Sequence, residues 1–389
     1  MARKVAVIGV GNTEYTSAKK ETRERSELGA ASVRAALEHV GRGLSLKDIE
    51  AVYFATVNSF EGIQRPDRSM ECLGQAFATP SYMINTGGTA GGSAFKEAYH
   101  AVAAGFYDVV ICYGSPNMTA TVEGQQILNS ASPPLIEKPC GAGAIHMATY
   151  YLTRYMYDHG ATEEDWAMVA AKCHKHAVNN PYAHIRKGYT VKEILESPMI
   201  CYPIRLYEAC PVSSGACCLI MATEEKAKEL SDTPVWIRAV GSISDTFLVG
   251  YKNFAGFTKL AKLAKKVYAE VGINNPLKEI DYAEIFNPFA GFELLAYDAL
   301  GFCKDGQAPG LVREGVTDLG GKLPVNLSGG TLCTNSGIAA SVTRHGDVCL
   351  QLMGQTEGGR QVENARVGLA HSWGGNMGQF HTLAVLARD

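Results

Sequence analysis

Apolar and small positions recur at three and four residues along Ala90, Ala94, Ala98, Ala101, Val102 and Phe106, which is the spacing of one helix face. Before this helix lies the apolar segment Tyr82-Met83-Ile84, then the turn Asn85-Thr86-Gly87-Gly88-Thr89. After it comes the continuous apolar run Asp108-Val109-Val110-Ile111-Cys112-Tyr113-Gly114, short enough for a strand buried on both faces. Strand, glycine turn, slim helix and buried strand together predict one unit of a parallel α/β layer. Gly87 and Gly88 permit a sharp turn and close approach to the backbone. The free N–H groups at that helix start suit an anion or a developing oxyanion. The same features also describe a tight turn with no chemistry.

The rest of the chain carries the same two periods. Strands are predicted at Lys4 to Thr13, Ile49 to Ala55, Val235 to Val240, Asp281 to Asn287, Ala365 to Leu369 and Thr382 to Leu386. Helices are predicted at 24–40, 257–271, 290–300 and 336–353, the last opening on the small residues Gly337, Ala339, Ala340 and Ser341. Leu323 to Leu327 reads as extended, and Ala370-His371-Ser372-Trp373-Gly374-Gly375 reads as a turn into the last strand. The second half thus repeats the first, as an internal duplication of a βαβ layer would. Between about 115 and 233 prolines break the pattern, and this stretch reads as an excursion from the layer.

Composition narrows the class. A chain of 389 residues calls for two similar layers or two domains. Its 46% hydrophobic content fits a globular enzyme, and a net charge of −3 gives no basic field for nucleic acid or a membrane surface. No apolar run is long enough to span a bilayer. The start, Met1-Ala2-Arg3-Lys4-Val5, enters a strand directly and does not read as a signal peptide. The 11 cysteines include no C-x-x-C pair. That pattern predicts reduced cytoplasmic thiols and no zinc site in this chain.

Candidate chemistry is sparse. Gly9 and Gly11 end the first strand, but Glu14 stands where a dinucleotide fingerprint needs glycine. The basic run Lys172, His174, Lys175 and His176, followed by Arg186 and Lys187, reads either as a phosphate-binding surface or as a solvated charged face.

The ordered segments Val5 to Gly11, Asn180-Pro181-Tyr182-Ala183, Tyr202 to Leu206, Cys210-Pro211-Val212-Ser213-Ser214-Gly215-Ala216, Leu300 to Gly306, Pro324 to Gly330 and Ala370 to Gly375 resemble the thiolase superfamily. The likeness is to its archaeal and sterol-carrier-type branch. The resemblance implies an α/β thiolase fold, a five-layered α/β/α/β/α sandwich of two duplicated halves, as a dimer. The halves are expected at 1–118 plus 236–272 and at 273–389, with 119–235 as an inserted loop domain.

The departures from the family pattern bear on chemistry. Gly88 stands where relatives carry the nucleophilic cysteine. Asn335 replaces the histidine of the Gly-His-Pro loop, with Ser336 as the alternative under a one-residue shift. Phe286-Asn287-Pro288-Phe289 puts Phe286 at another histidine position and keeps Asn287. His371 stands where a cysteine acid/base is usual.

Thiolysis of a β-ketoacyl-CoA needs a thiolate, an acid/base and oxyanion donors. The resemblance therefore implies His371 as proton carrier and Asn335 and Asn287 as enolate donors. Lys172, His176, Arg186 and Lys187 are the candidate contacts to coenzyme A. Gly88 cannot be acylated, Thr89 and Ser93 lack a dedicated base, and Cys140 reads as a packing residue or a lent thiol.

Three functions stay open. One is a thiolase on a branched, bulky or aromatic β-ketoacyl-CoA, of the benzoylsuccinyl-CoA kind. One is a retro-aldolase on a β-hydroxyacyl-CoA. The third is a non-catalytic CoA-binding subunit. The implied partners are a second copy of the chain and a small zinc-binding OB-fold protein.

Overall fold

The computed structural model describes residues 2–17, 19–56, 73, 79–115, 132–141, 143–335 and 337–388. Strands β1 (Val5–Asn12), β2 (Ala51–Ala55), β3 (Ser81–Ile84), β4 (Val109–Gly114), β5 (Cys217–Thr223), β6 (Val235–Ser244), β7 (Tyr282–Glu284), β8 (Val367–Gly374) and β9 (Phe380–Ala387) order as β7-β8-β9-β6-β1-β5-β4-β2-β3. The seam between the two halves of this sheet is thin: β1 and β6 pair only at Ala6 with Trp236 and Val7 with Val235.

The helices divide by the face they cover. Helices α1 (Arg25–Val40), α2 (Ala90–Ala103), α3 (Ala144–His159), α4 (Glu163–Ala177), α5 (Thr258–Val271), α6 (Ala290–Ala299) and α7 (Ile338–Met353) are the longer ones. One core contains Ala90, Ala94, Ala98 and Val102 of α2 with Val342, Val348, Cys349 and Leu352 of α7. The same core takes Val5, Val110 and Leu219 from one half of the sheet and Ala370, Ala384 and Leu386 from the other. The two small-residue helices are therefore the filling between the halves. Helix α1 covers the outer face of the first half through Val33, Ala36 and Val40. Helices α3 to α6 cover the outer face of the second through residues such as Leu152, Trp166, Leu263 and Phe292. Burial on both faces explains why β4 and β5 read as unbroken apolar runs and not as alternation.

Strand pairing moves three boundaries from their sequence-based positions. Residues 217–223, expected in the loop domain, form β5, which pairs with both β1 and β4. Residues 236–244, expected with the first half, pair along their length with β9 of the second. The segment 370–374, expected as a turn, continues β8: His371 faces Leu383, Trp373 faces His381 and Gly374 faces Phe380. A long antiparallel partner carries the ladder through residues that otherwise favour a turn. Strand β7 is shorter than expected because the Ile285 N–H bonds to Asn326 Oδ1, 2.7 Å away, and Pro288 follows.

The close packing is most acute at Gly92 on α2. A Cβ there would collide with Thr382 Oγ1 and sit 2.7 Å from Ser372 Oγ. Gly92→Ala is expected to destabilise the fold by about 1–3 kcal/mol through overpacking, measured as a lowered denaturant midpoint. An unchanged midpoint would show that β8 and β9 yield to the methyl group.

Candidate functional site

The Gly87-Gly88 turn is held from three sides. Gly87 has φ +62, a left-handed conformation that favours glycine. A Cβ on Gly88 would lie 2.9 Å from the Trp373 carbonyl oxygen and 3.3 Å from Gly374 Cα. Reciprocally, a Cβ on Gly374 would meet the backbone nitrogens of Gly88 and Thr89. From α7, the Ser341 hydroxyl donates to the Gly88 carbonyl. Thr86 Oγ1 pairs with Ser93 Oγ at 2.8 Å, and Thr89 Oγ1 donates to the Thr86 carbonyl at 2.6 Å. The turn is thus locked against the end of β8, with no room for a longer side chain at position 88.

Trp373 joins this contact to the next loop. Its ring stacks near Phe286 at 6.4 Å and meets Phe292 edge-on at 5.3 Å. The Phe286-Asn287-Pro288-Phe289 segment then meets the Cys210 loop, where the Cys210 N–H bonds to the Pro288 carbonyl at 2.9 Å. Asn335 Nδ2 donates to Cys210 Sγ at 3.0 Å, and Asn335 Oδ1 accepts the Gly337 N–H at 3.0 Å, just before α7. Burial pushes the Cys210 thiol up to about 11, against the opposing Asn335 hydrogen bond. It rests as a neutral thiol and not as a thiolate.

The other residues singled out from sequence are distributed elsewhere. His371 is fully buried on β8. Successive strand residues point to opposite faces. Ser372 approaches Gly92 on the α2 side, whereas Leu369 and Trp373 belong to the outer core. The imidazole of His371 therefore faces away from α2, with its Nε2 3.2 Å from His381 Nδ1. Burial, with His381 and His345 nearby, holds His371 well below the usual imidazole range. Asn287 is fully buried, and its Nδ2 donates to Glu293 Oε2 at 2.8 Å and Cys173 Sγ at 3.5 Å. Cys140 lies exposed in the short turn Lys138–Cys140, and Ser336 lies outside the described residues.

The basic run splits in two. Lys172 turns inward and pairs with Glu293, with Tyr297 Oη 3.0 Å away. His176 is buried, with Nε2 2.5 Å from Asp318 Oδ1. Arg186 and Lys187 stay at the surface. Arg186 bonds Glu14 and the Pro181 carbonyl, and the Lys187 ammonium lies 4.9 Å from the Tyr189 ring centroid. The sequence grouping of Lys172, His176, Arg186 and Lys187 as one phosphate-binding face is corrected by this geometry. Residues three and four apart on α4 share the core-facing side, and Lys172 sits on that face with Trp166 and Val169. Sequence reading missed Cys210 and Ser213, which bond Asn335, and His184, which reaches the same loop through Thr334 and Ser213. The one available signal was Cys210-Pro211-Val212-Ser213 itself, which entered only as a segment of the family resemblance.

Among the described residues no group of three or more His, Cys, Asp or Glu side chains is arranged to hold a metal ion. None of their helices is long and apolar enough to cross a membrane.

Two outcomes follow. Lys172→Ala leaves Glu293 as an unpaired buried carboxylate, so stability should fall by about 3–5 kcal/mol, read from denaturant unfolding. A normal midpoint with weakened binding of CoA would instead make Lys172 a ligand contact.

The second concerns pH. Burial holds His345 at about 4 and His381 at about 3, with His371 also depressed. Below the ordinary value of 6.5 the unfolded chain takes up protons that the folded chain refuses. These histidines therefore contribute fully above that pH and progressively less as pH falls toward their folded values. Glu208 and Asp347, raised to about 7 by burial, work in the opposite sense. The histidine part is isolated by comparing the chain with His381→Gln at about pH 7.5 and pH 5. The substituted protein should lose less stability on acidification, and equal losses would refute the assignment.

Comparison with known proteins agrees with this architecture. Residues 5–195 match the thiolase N-terminal domain, and residues 242–388 match the thiolase C-terminal domain-like family. The chain is 30% identical to the acetyl-CoA acetyltransferase of Methanothermobacter thermautotrophicus, covering 97% of each protein. It is 29% identical to the benzoylsuccinyl-CoA thiolase subunit BbsB of Thauera aromatica, over 96% of each. A 17-hydroxy-3-oxo-4-pregnene-20-carboxyl-CoA lyase of Mycobacterium tuberculosis is 28% identical over 85% of this chain and 87% of that protein. In fold it matches the solved structure of an Ltp2-ChsH2(DUF35) aldolase with a TM-score of 0.83 at 24% identity, covering 99% of this chain and 98% of that one. With a glycine-locked strand-to-helix turn between two duplicated half-sheets, and relatives matched from end to end, this chain belongs to the thiolase family.

Proposed function

We propose that the chain cleaves or forms a C–C bond of an acyl-CoA through an enolate, with no acyl-enzyme, as a thiolase-like aldolase of β-hydroxyacyl-CoA. The observation that carries this is the Gly88 contact. Position 88 has no nucleophile, and the Trp373–Gly374 backbone fills the space that a side chain there would use. Cys210 is hydrogen-bonded to Asn335 and its thiol is pushed up by burial, so it would need a dedicated base to act as a substitute nucleophile.

Aldol cleavage needs less from the protein. A base takes the β-hydroxyl proton, and the bond between the α and β carbons breaks. The β carbon leaves as a carbonyl, and the electron pair passes to the thioester enolate. A proton returned to the α carbon gives the shortened acyl-CoA. No free CoA is consumed. The protein's part is to hold the thioester, supply donors to the enolate oxygen and exclude water.

The end-to-end match with an acetyl-CoA acetyltransferase favours a second reading: acyl transfer from a bulky β-ketoacyl-CoA by direct attack of CoA, with one CoA consumed per bond. Both readings place coenzyme A as substrate or product. Surface Arg186 and Lys187 remain the candidates for its phosphates. Both also admit a homodimer and a small zinc-binding OB-fold subunit, a partnership that the solved two-component aldolase and the BbsB subunit name support by analogy.

The discriminating measurement is CoA stoichiometry. The protein is purified with any subunit that co-elutes and given a panel of β-hydroxyacyl-CoA and β-ketoacyl-CoA thioesters with and without free CoA. The aldolase reading expects cleavage of a β-hydroxy thioester without CoA and no acyl adduct by intact-protein mass spectrometry. Cleavage only of β-keto thioesters, with CoA consumed, would overturn it in favour of acyl transfer.

A further inference from the structure

We propose that His184 supplies the hydrogen-bond donor to the enolate oxygen, replacing from a different element the histidine that the 334–337 loop lacks. The inference rests on the enolate chemistry of the proposed function. It would hold for either the aldol or the acyl-transfer version.

The placement is direct. The segment carrying His184 runs beside the loop: its own N–H donates to Thr334 Oγ1 at 3.2 Å, and the Ile185 N–H donates to the Cys333 carbonyl at 3.1 Å. The side chain returns to the same loop through Ser213. His184 Nδ1 lies 2.8 Å from Ser213 Oγ, and Ser213 Oγ accepts the Asn335 N–H at 3.2 Å. The Ser213 N–H in turn donates to the Asn335 carbonyl at 2.8 Å. The imidazole is therefore two hydrogen bonds from Asn335, in the loop aligned with the family histidine.

We assign the tautomer from these bonds. Ser213 is fully buried, and its oxygen already accepts from Asn335. Its hydroxyl proton has His184 Nδ1 as its acceptor, which leaves the second ring hydrogen on Nε2. Burial, with Lys20 the charged group acting on it, holds the imidazole below its ordinary value and so neutral. The ring is only half-buried, and its Nε2 has no partner among the described residues.

The competing donors are wholly or partly used. Asn287 gives its amide hydrogens to Glu293 and Cys173. Asn335 Nδ2 gives one to Cys210. His174 Nε2 is engaged by the Tyr207 carbonyl, and His371, His381 and His345 are enclosed in the core. Among the described residues around this loop, His184 carries a ring N–H without a partner on a partly exposed side chain.

The test uses enolisation itself, read as deuterium uptake from D2O into the α carbon of acetyl-CoA and propionyl-CoA by mass spectrometry. The protein is purified with any co-eluting subunit. His184→Ala should lower the exchange rate by about 10²–10³-fold, the usual loss for one oxyanion donor, with CoA affinity by calorimetry unchanged. His184→Gln, which keeps an N–H donor, should recover most of that rate. Ser213→Ala, which frees the tautomer, should fall between. Unchanged exchange in His184→Ala, equal loss in the Ala and Gln variants, or no exchange by the unaltered protein overturns the proposal. The two readings fail separately. Exchange that depends on His184 in a protein that consumes CoA on cleavage sinks the aldolase reading and leaves His184 in place. CoA-independent cleavage with unchanged exchange in His184→Ala does the reverse.

Discussion

The backbone of the Gly87-Gly88 turn touches the backbone at the end of β8, and the rest of the molecule is arranged around that contact. Main-chain atoms approach this closely only when neither side carries a Cβ, so Gly88 and Gly374 act as a pair. The same closeness continues one turn along α2, where Gly92 faces Ser372 and Thr382. It seats α2 against the second half of the sheet, while Ala94 and Ala98 of the same helix pack into the core shared with the first. The Ser341 hydroxyl adds a tie from α7 to the Gly88 carbonyl. Two slim helices fill the space between the half-sheets because their small residues let backbones, and not side chains, set the spacing. A nucleophilic side chain at position 88 would have to displace main chain, which is a far larger rearrangement than a rotamer change.

A second constraint lies in the outer core. Lys172, Glu293 and Tyr297 form a buried cluster to which Asn287 and Asn326 add hydrogen bonds on Glu293 Oε2. Nearby, Arg344 pairs with Glu284 at 2.5 Å, and Ser328 donates to the same carboxylate at 2.8 Å. Buried ions of this kind give little net stability, yet each becomes costly when its partner is removed. They join α4 and α6 in one cluster, and β7 and α7 in the other, at defined positions. The polar atoms of Asn287 are thereby spent on architecture, although the residue sits in a loop whose sequence reads as chemical.

The fold was legible because its signals are local and repeated. The strand, glycine turn and small-residue helix at 82–114 appear in the structure as β3, α2 and β4. The pattern at 336–353 appears as α7. Long-range pairing was not legible. Nothing within 217–223 says that it pairs with residues near both ends of the first half, and nothing within 370–374 says that an antiparallel partner keeps it extended. The site suffered from the same limit. Gly88 and Asn335 drew notice as departures from the motifs that the family resemblance implies. Lys172 could not be recognised as inward-facing, because its counter-ion Glu293 is 121 residues away. His184 carries no local mark at all. Its meaning arises only when Ser213 and Asn335 arrive from distant segments.

The strand pleat decides how two histidines differ in use. His371 occupies a motif position, but alternation along β8 sends its ring to the face opposite Ser372 and into contact with His381. A ring enclosed there is held well below the usual imidazole range, and its buried Nδ1 has no hydrogen-bond partner among the described residues. That is an arrangement the surrounding packing must sustain at some cost. His184 lies on a segment without regular structure, where no alternation dictates its direction. Its ring is oriented by one hydrogen bond to a buried serine that is itself pinned by Asn335. Loops carried on a rigid frame can place a donor where a strand cannot. On the enolate reading proposed above, with main chain filling the space beside Gly88, the task left to the protein is the stabilisation of charge on an oxygen, which calls for a fixed N–H in place of a reactive side chain.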